Sequence, residues 1–138
     1  MRWPPDRLYT ILFDLDDTLI DSFDARVAAL DKAFESSNIV GLSASEFMRG
    51  LGSKQFNTSL SELEAELGTS VALYEKYREF YWTKDTGKIR VYPGIESLLS
   101  ELRAKGLRIG VVTQKGRSLQ VNGRNAGAIE ELRQLGLT

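Results

Sequence analysis

The stretch ILFDLDDTLIDS, Ile11 to Ser22, sets an apolar run directly against three aspartates, Asp14, Asp16 and Asp17. The apolar run itself, Leu8 to Phe13, is interrupted only by Thr10. Such a run suits a strand covered on both faces, as in a parallel sheet. A strand that delivers its chain into carboxylates must either neutralise that charge or use it. Three uses are open to these aspartates. They could be solvated turn residues and helix caps, the common fate of an Asp-Asp pair after a strand. They could form a calcium loop, since Asp14, Asp16 and Thr18 alternate, but Leu19 stands where that loop needs glycine and Ala25 where it needs a bidentate glutamate. Or they could be catalytic, because open α/β sheets bind ligands at the C-terminal ends of their parallel strands.

Composition narrows the chemistry. The chain has 138 residues, 42% hydrophobic and 27% charged, which describes a globular protein of ordinary domain size. A formal net charge of −1 gives no reason to expect a nucleic-acid or membrane partner. No window approaches the ~20 apolar residues that span a bilayer. The opening MRWPPDRLYT reaches Pro4, Pro5 and Asp6 before any apolar run and does not read as a secretory signal, so a cytoplasmic location is the expectation. There is no cysteine and no histidine. That removes thiol nucleophiles, zinc sites of the Cys/His kind and any triad with an imidazole base. Carboxylates, hydroxyls, amines and backbone amides are what remain.

Past the aspartates the pattern turns helical. Phe23, Val27, Leu30 and Phe34 recur at helical spacing behind Asp21 or Ser22 as N-cap. Ser43 with Glu46, and Ser59 with Glu62, each fit a capping box, predicting helices near 44–50 and 60–67, the second closed by Gly68. Val71, Leu73, Tyr74, Tyr77, Phe80 and Tyr81 predict a helix over about 70–84, its rings forming core, followed by a turn over Asp85–Lys88. YPGIESLLSELRAKG predicts a helix entered at Pro93 and left at Gly106, with Ile95, Leu98, Leu99 and Leu102 inward. LRIGVVT, Leu107 to Thr113, is a second strand of the buried kind, and Ala126, Ile129, Leu132 and Leu135 mark a last helix closed by Gly136. Strand, helix, strand implies parallel pairing through a crossover. The expected fold is therefore α/β: a partial Rossmann-like parallel sheet core over residues 1–21 and 89–138, with an α-helical cap, residues 22–88, inserted in the crossover.

FDLDDTL resembles the first signature of the haloacid dehalogenase-like hydrolases, Asp-x-Asp-x-Thr after an apolar strand. GVVTQKGR, Gly110 to Arg117, resembles their second, in which a Thr or Ser ends the neighbouring strand. YPGIESLLSELRAKGLRIGVVT is similar to the approach to that second signature in the phosphoglycolate phosphatase-like branch, which also carries a helical cap just after the first. The resemblance implies Mg²⁺-dependent hydrolysis of a small phosphorylated metabolite through an aspartyl-phosphate. Asp14 would be the nucleophile and Asp16 the general acid and base; Thr113, the Gln114 amide and Thr18 would serve the phosphate and its turn. Mg²⁺ would be held by the Asp14 carboxylate and the Asp16 backbone carbonyl. Such chemistry is sound physically, since a carboxylate can take a phosphoryl group covalently and a second one can manage the proton. MRGLGSK, Met48 to Lys54, resembles a substrate loop in which Gly50 and Gly52 admit a ligand and Arg49 or Lys54 meet an anion; it reads equally as a glycine-rich helix end. Lys115 is read as a surface residue, because the family's essential lysine lies further along the chain.

Two family pieces find no match after Thr113: that lysine, and an acidic pair completing the metal site. Glu130 and Glu131 fall on the last helix. SLQVNG, Ser118 to Gly123, looks like a small insertion with a turn at Asn122-Gly123. The expectation is a truncated copy with weak activity alone, and with self-association through an exposed sheet edge. The alternatives are a non-catalytic interaction module derived from such a phosphatase, or a fragment completed by a partner chain.

Overall fold

A computed structural model describes residues 9–83 and 88–137. The apolar run becomes β1 (Thr10–Asp14), and a two-residue strand, β2 (Ile20–Asp21), follows it. Four helices come next: α1 (Phe23–Ser36), α2 (Ala44–Arg49), α3 (Phe56–Leu67) and α4 (Leu73–Thr83). Then β3 (Arg90–Val91) leads into α5 (Ile95–Ala104) and β4 (Arg108–Val112), and the chain closes through β5 (Leu119–Val121), β6 (Arg124–Ala126) and α6 (Ala128–Gln134). β1 and β4 pair in parallel, from Thr10 beside Arg108 to Asp14 beside Val112. β2 and β3 pair antiparallel, Ile20 with Val91 and Asp21 with Arg90, where the chain leaves for the helices and returns. This is the α/β arrangement expected, with a helical segment interrupting the crossover.

The chain divides into two compact units. Of the described residues, one unit takes in those up to Ser22 with Ile89–Leu119 and those from Asn125 on; the other takes in those from Phe23 to Lys88 with the hairpin tip Gln120–Arg124. The helical unit is held by α1 against α4, with Ala25, Ala29, Leu30, Ala33 and Phe34 buried on the first and Leu73, Tyr77 and Tyr81 on the second. Its rings meet mainly edge to face, Phe34 with Phe47 at 6.3 Å between centroids and Phe56 with Tyr77 at 4.6 Å. These aromatics are core.

Several local expectations shift. Ser43 caps α2 as expected, accepting from the Glu46 amide at 3.2 Å. Ser59 caps nothing: α3 begins at Phe56, so Ser59 sits inside the helix, buried, its amide bonded to the Gln55 carbonyl and its hydroxyl without a hydrogen-bond partner. Packing of Phe56 between Phe47 and Tyr77 rewards the extra turn more than the cap would. Ala126 belongs to β6, and Ile129 and Leu98 are exposed where an inward face was predicted. Asn122 and Gly123 both have positive φ, +50° and +76°, so the insertion is a hairpin closed by a tight two-residue turn. Leu8 and most of the predicted turn at 85–88 lie outside the described residues.

The largest departure concerns β1. It is not covered on both faces: Leu12 is 64% exposed, and so is Val112 on β4, at 58%. Both stand on the same side of the parallel pair, because Leu12 is in register with Gly110 and Val112 with Asp14. Among the described residues these two strands make a two-stranded sheet, and nothing in that unit is laid over this face.

Candidate active site

β1 and β4 end together, so the loops that follow them leave from the same edge of the sheet. After β1 the chain folds back at once. The Leu15 carbonyl accepts from the amides of Thr18, Leu19 and Ile20 at 3.0–3.3 Å, and Asp17 takes a left-handed φ of +66° while its amide bonds the Ile20 carbonyl at 2.8 Å. Leu15, Leu19 and Ile20 are almost fully buried, which anchors the turn from beneath. The backbone thus holds this loop, not the Thr18 hydroxyl; Thr18 is exposed and contributes its amide. Asp14 is exposed, and the Leu15 amide donates to its Oδ1 at 2.8 Å.

Asp16 is more tightly held. Its Oδ1 accepts from the Ser22 hydroxyl at 2.5 Å and lies 2.8 Å from the Lys115 ammonium. The same ammonium is 2.5 Å from Glu131 Oε1. Side-chain exposure is 13% for Lys115, 23% for Asp16 and 2% for Glu131. Lys115 is therefore not a surface residue, and Glu131 is not on the solvated side of its helix. Two carboxylates from distant parts of the chain share one cation. Glu130, one position away, is half-buried, and a hydrogen bond from Arg133 holds its carboxyl below the usual carboxylate range.

The loop carrying Lys115 is fastened to the helix carrying Glu131. Gly116 and Arg117 carbonyls accept from the Ala128 and Ile129 amides at 2.8 and 3.1 Å. Gly127 makes that junction possible: its φ is +101°, and a Cβ there would stand 2.7 Å from the Gly116 oxygen and 2.8 Å from the Arg117 oxygen. Gly127→Ala should therefore cost about 1–3 kcal/mol, read as a lowered urea midpoint with an unchanged slope; a midpoint at the wild-type value would show that the junction yields freely.

Of the residues singled out in the sequence, Asp14 ends β1, and Asp16, Thr113 and Gln114 lie on the two loops that leave the same sheet edge. The Thr113 hydroxyl accepts from the Lys115 amide at 3.2 Å, a local backbone role that leaves its own proton to donate. Arg49, Gly50, Gly52 and Lys54 belong to the helical unit. Arg49 lies 5.5 Å from the Phe23 ring centroid, and Lys54 is exposed. Gly50 is an ordinary helix C-cap with φ −79°; Gly52, at +57°, is the one of the two whose backbone calls for glycine. Three contributors escaped the sequence reading: Ser22, taken as a possible cap, Lys115 and Glu131. The signal for the last was its phase, since Glu131 shares a helical face with Ala128 and Leu135.

Among the described residues no helix is long and apolar enough to cross a membrane. The model of the family described as haloacid dehalogenase-like hydrolase matches residues 11–134. A phosphoglycolate phosphatase of Agrobacterium fabrum is 28% identical over 132 residues, 92% of this chain and 53% of the relative. A haloacid dehalogenase-like family protein of Streptococcus pneumoniae superposes with a TM-score of 0.70 at 20% identity, over 94% of this chain and 57% of that one. A HAD-hydrolase of Bacillus subtilis, described as bound to magnesium, gives 0.60 at 27% identity, over 96% of this chain and 61% of its own. The chain spans about half the length of the curated relatives it matches.

Proposed function

The chain belongs to the haloacid dehalogenase-like hydrolases, and from that membership we propose that it handles phosphate monoesters of small metabolites, Asp14 taking the phosphoryl group and Asp16 managing the proton. The observation that carries this reading is the parallel register: Asp14 ends β1 beside Val112, so the Asp-x-Asp loop and the Thr113–Lys115 loop face one another at one sheet edge. The Leu15 amide fixes Asp14 Oδ1 and leaves Oδ2 for in-line attack on phosphorus. The displaced alkoxide takes a proton from Asp16, which then receives one from the water that releases phosphate. Thr113 and the Gln114 amide would meet the phosphoryl oxygens, with Thr18 completing the turn.

Hard oxygen donors at Asp14 and the Asp16 carbonyl suit Mg²⁺, which commonly binds through one or two carboxylates, water and substrate phosphate. When bound, it supplies charge screening between phosphate and carboxylates. Among the described residues no group of three or more acidic, His or Cys side chains could hold a metal, so these donors would hold it loosely.

The test is phosphoryl capture. Incubated with acetyl phosphate and Mg²⁺, the chain should gain one phosphoryl mass on the peptide that contains Asp14, while turnover of para-nitrophenyl phosphate stays weak. No mass gain would refute the reading in favour of an interaction module; fast turnover lost in Asp14→Asn would refute only the expected weakness.

Self-association is proposed on a separate observation, the exposure of Leu12 and Val112 on one face. Sedimentation velocity should show larger species as concentration rises, and Leu12→Lys with Val112→Lys should return a monomer. A wild-type chain monomeric throughout would exclude it.

A further inference from the structure

The Lys115–Glu131 pair is more than phosphoryl capture by itself requires. Glu131 is buried on α6 and takes no part in attack or proton exchange, yet it meets the ammonium that also touches Asp16. We infer that Lys115, anchored by Glu131, is a positioning residue for Asp16; the inference rests on the phosphoryl reading above.

A lysine ammonium on its flexible stem can follow a carboxylate through many orientations, and by itself orients nothing. Here the stem is 13% exposed and its ammonium is tied at 2.5 Å to a carboxylate that is 2% exposed. The tie is braced on both sides, because the Ala128 and Ile129 amides that open α6 are bonded to the loop carrying Lys115. The cation is thus fixed in place before it meets Asp16. Ser22, itself fully buried, donates to the same oxygen, Oδ1, from the other end of the β1 loop. With both contacts on Oδ1, the carboxylate is fixed in rotation and Oδ2 is the atom that exchanges protons.

The consequence falls on the second half of the reaction. A water oxygen forms its bond to phosphorus as the bond from phosphorus to Asp14 breaks, the electron pair returning to the Asp14 carboxylate. The water's proton passes to Asp16 Oδ2, and inorganic phosphate leaves. An Asp16 free to rotate meets that water in only a fraction of its orientations, and misplacement on this scale slows a step by up to about 10²-fold.

The experiment labels the full chain with acetyl phosphate and Mg²⁺, removes the donor, and follows the phosphoryl mass with time. Lys115→Met combined with Glu131→Gln removes the fully buried carboxylate charge together with the cation and leaves Asp16, 23% exposed, with its hydrogen bond from Ser22, so that variant should fold, as circular dichroism will show. It should label and then hold its phosphoryl group about 10- to 100-fold longer than wild type. Lys115→Arg, which keeps the cation, should restore a shorter lifetime. Equal lifetimes in the double variant and wild type would overturn the inference. So would a folded double variant that takes no label, which would put the pair on phosphate capture, or a Lys115→Arg chain as slow as the double variant. Absence of label on the wild-type chain would overturn the proposed function itself, and this inference with it.

Discussion

Lys115→Met should lower the unfolding free energy by about 3–5 kcal/mol. The lysine leaves behind a Glu131 carboxylate whose side chain is 2% exposed, with its cation gone. An ion pair of this kind adds little net stability when intact, because desolvating both partners offsets their attraction. Breaking it from one side is costly, because the buried charge then loses the attraction that offset its desolvation. Domains of this size have about 5–15 kcal/mol in total, so the single variant should unfold at much lower urea. The companion Glu131→Leu, introduced with Lys115→Met, should recover most of the loss by replacing the pair with apolar contact. A cost under about 1 kcal/mol for Lys115→Met would mean that the pair behaves as an exposed one and that water reaches Glu131.

Asp14→Asn should abolish phosphoryl labelling and reduce any turnover by at least about 10³-fold. An amide oxygen lacks the negative charge that makes the carboxylate a nucleophile, and the neighbouring Asp16 carboxylate is engaged by Ser22 and Lys115. The same change should leave stability within about 0.5 kcal/mol, since Asp14 is exposed and an asparagine Oδ1 still accepts from the Leu15 amide. Loss of function without loss of fold is the pattern that separates Asp14 from Lys115. Label persisting at full level in Asp14→Asn would move the nucleophile elsewhere. Asp16→Asn makes a third pattern: labelling from acetyl phosphate survives, because its leaving group needs little protonation, while release of the phosphoryl group slows.

The helical unit was legible wherever its signals were local. Ser43 caps α2, Gly68 closes α3 in the left-handed conformation, and the spacing of Phe23, Val27, Leu30 and Phe34 runs through α1. Ser59 misled because a capping box competes with packing, and Phe56 against Tyr77 outweighs a serine cap. Leu12 misled in a different way. An apolar run states that burial would be favourable, but whether anything is laid over a face depends on how many strands join the sheet.

Some things about this chain follow from residue order alone. An apolar run ending in Asp14, Leu15 and Asp16, a second ending in Thr113, and helical periodicity between them determine a parallel pair with hydroxyl and carboxylate groups at its C-terminal edge. Periodicity and capping are set within a few residues, so they survive in one dimension. Only the tertiary structure decided what Lys115, Glu131 and Ser22 do. A lysine in a loop and a glutamate on a helix each read as solvated, because burying either by itself is prohibitive. They become interior groups only when the fold brings opposite charges within bonding distance, and that meeting depends on how the loop after β4 is joined to the start of α6.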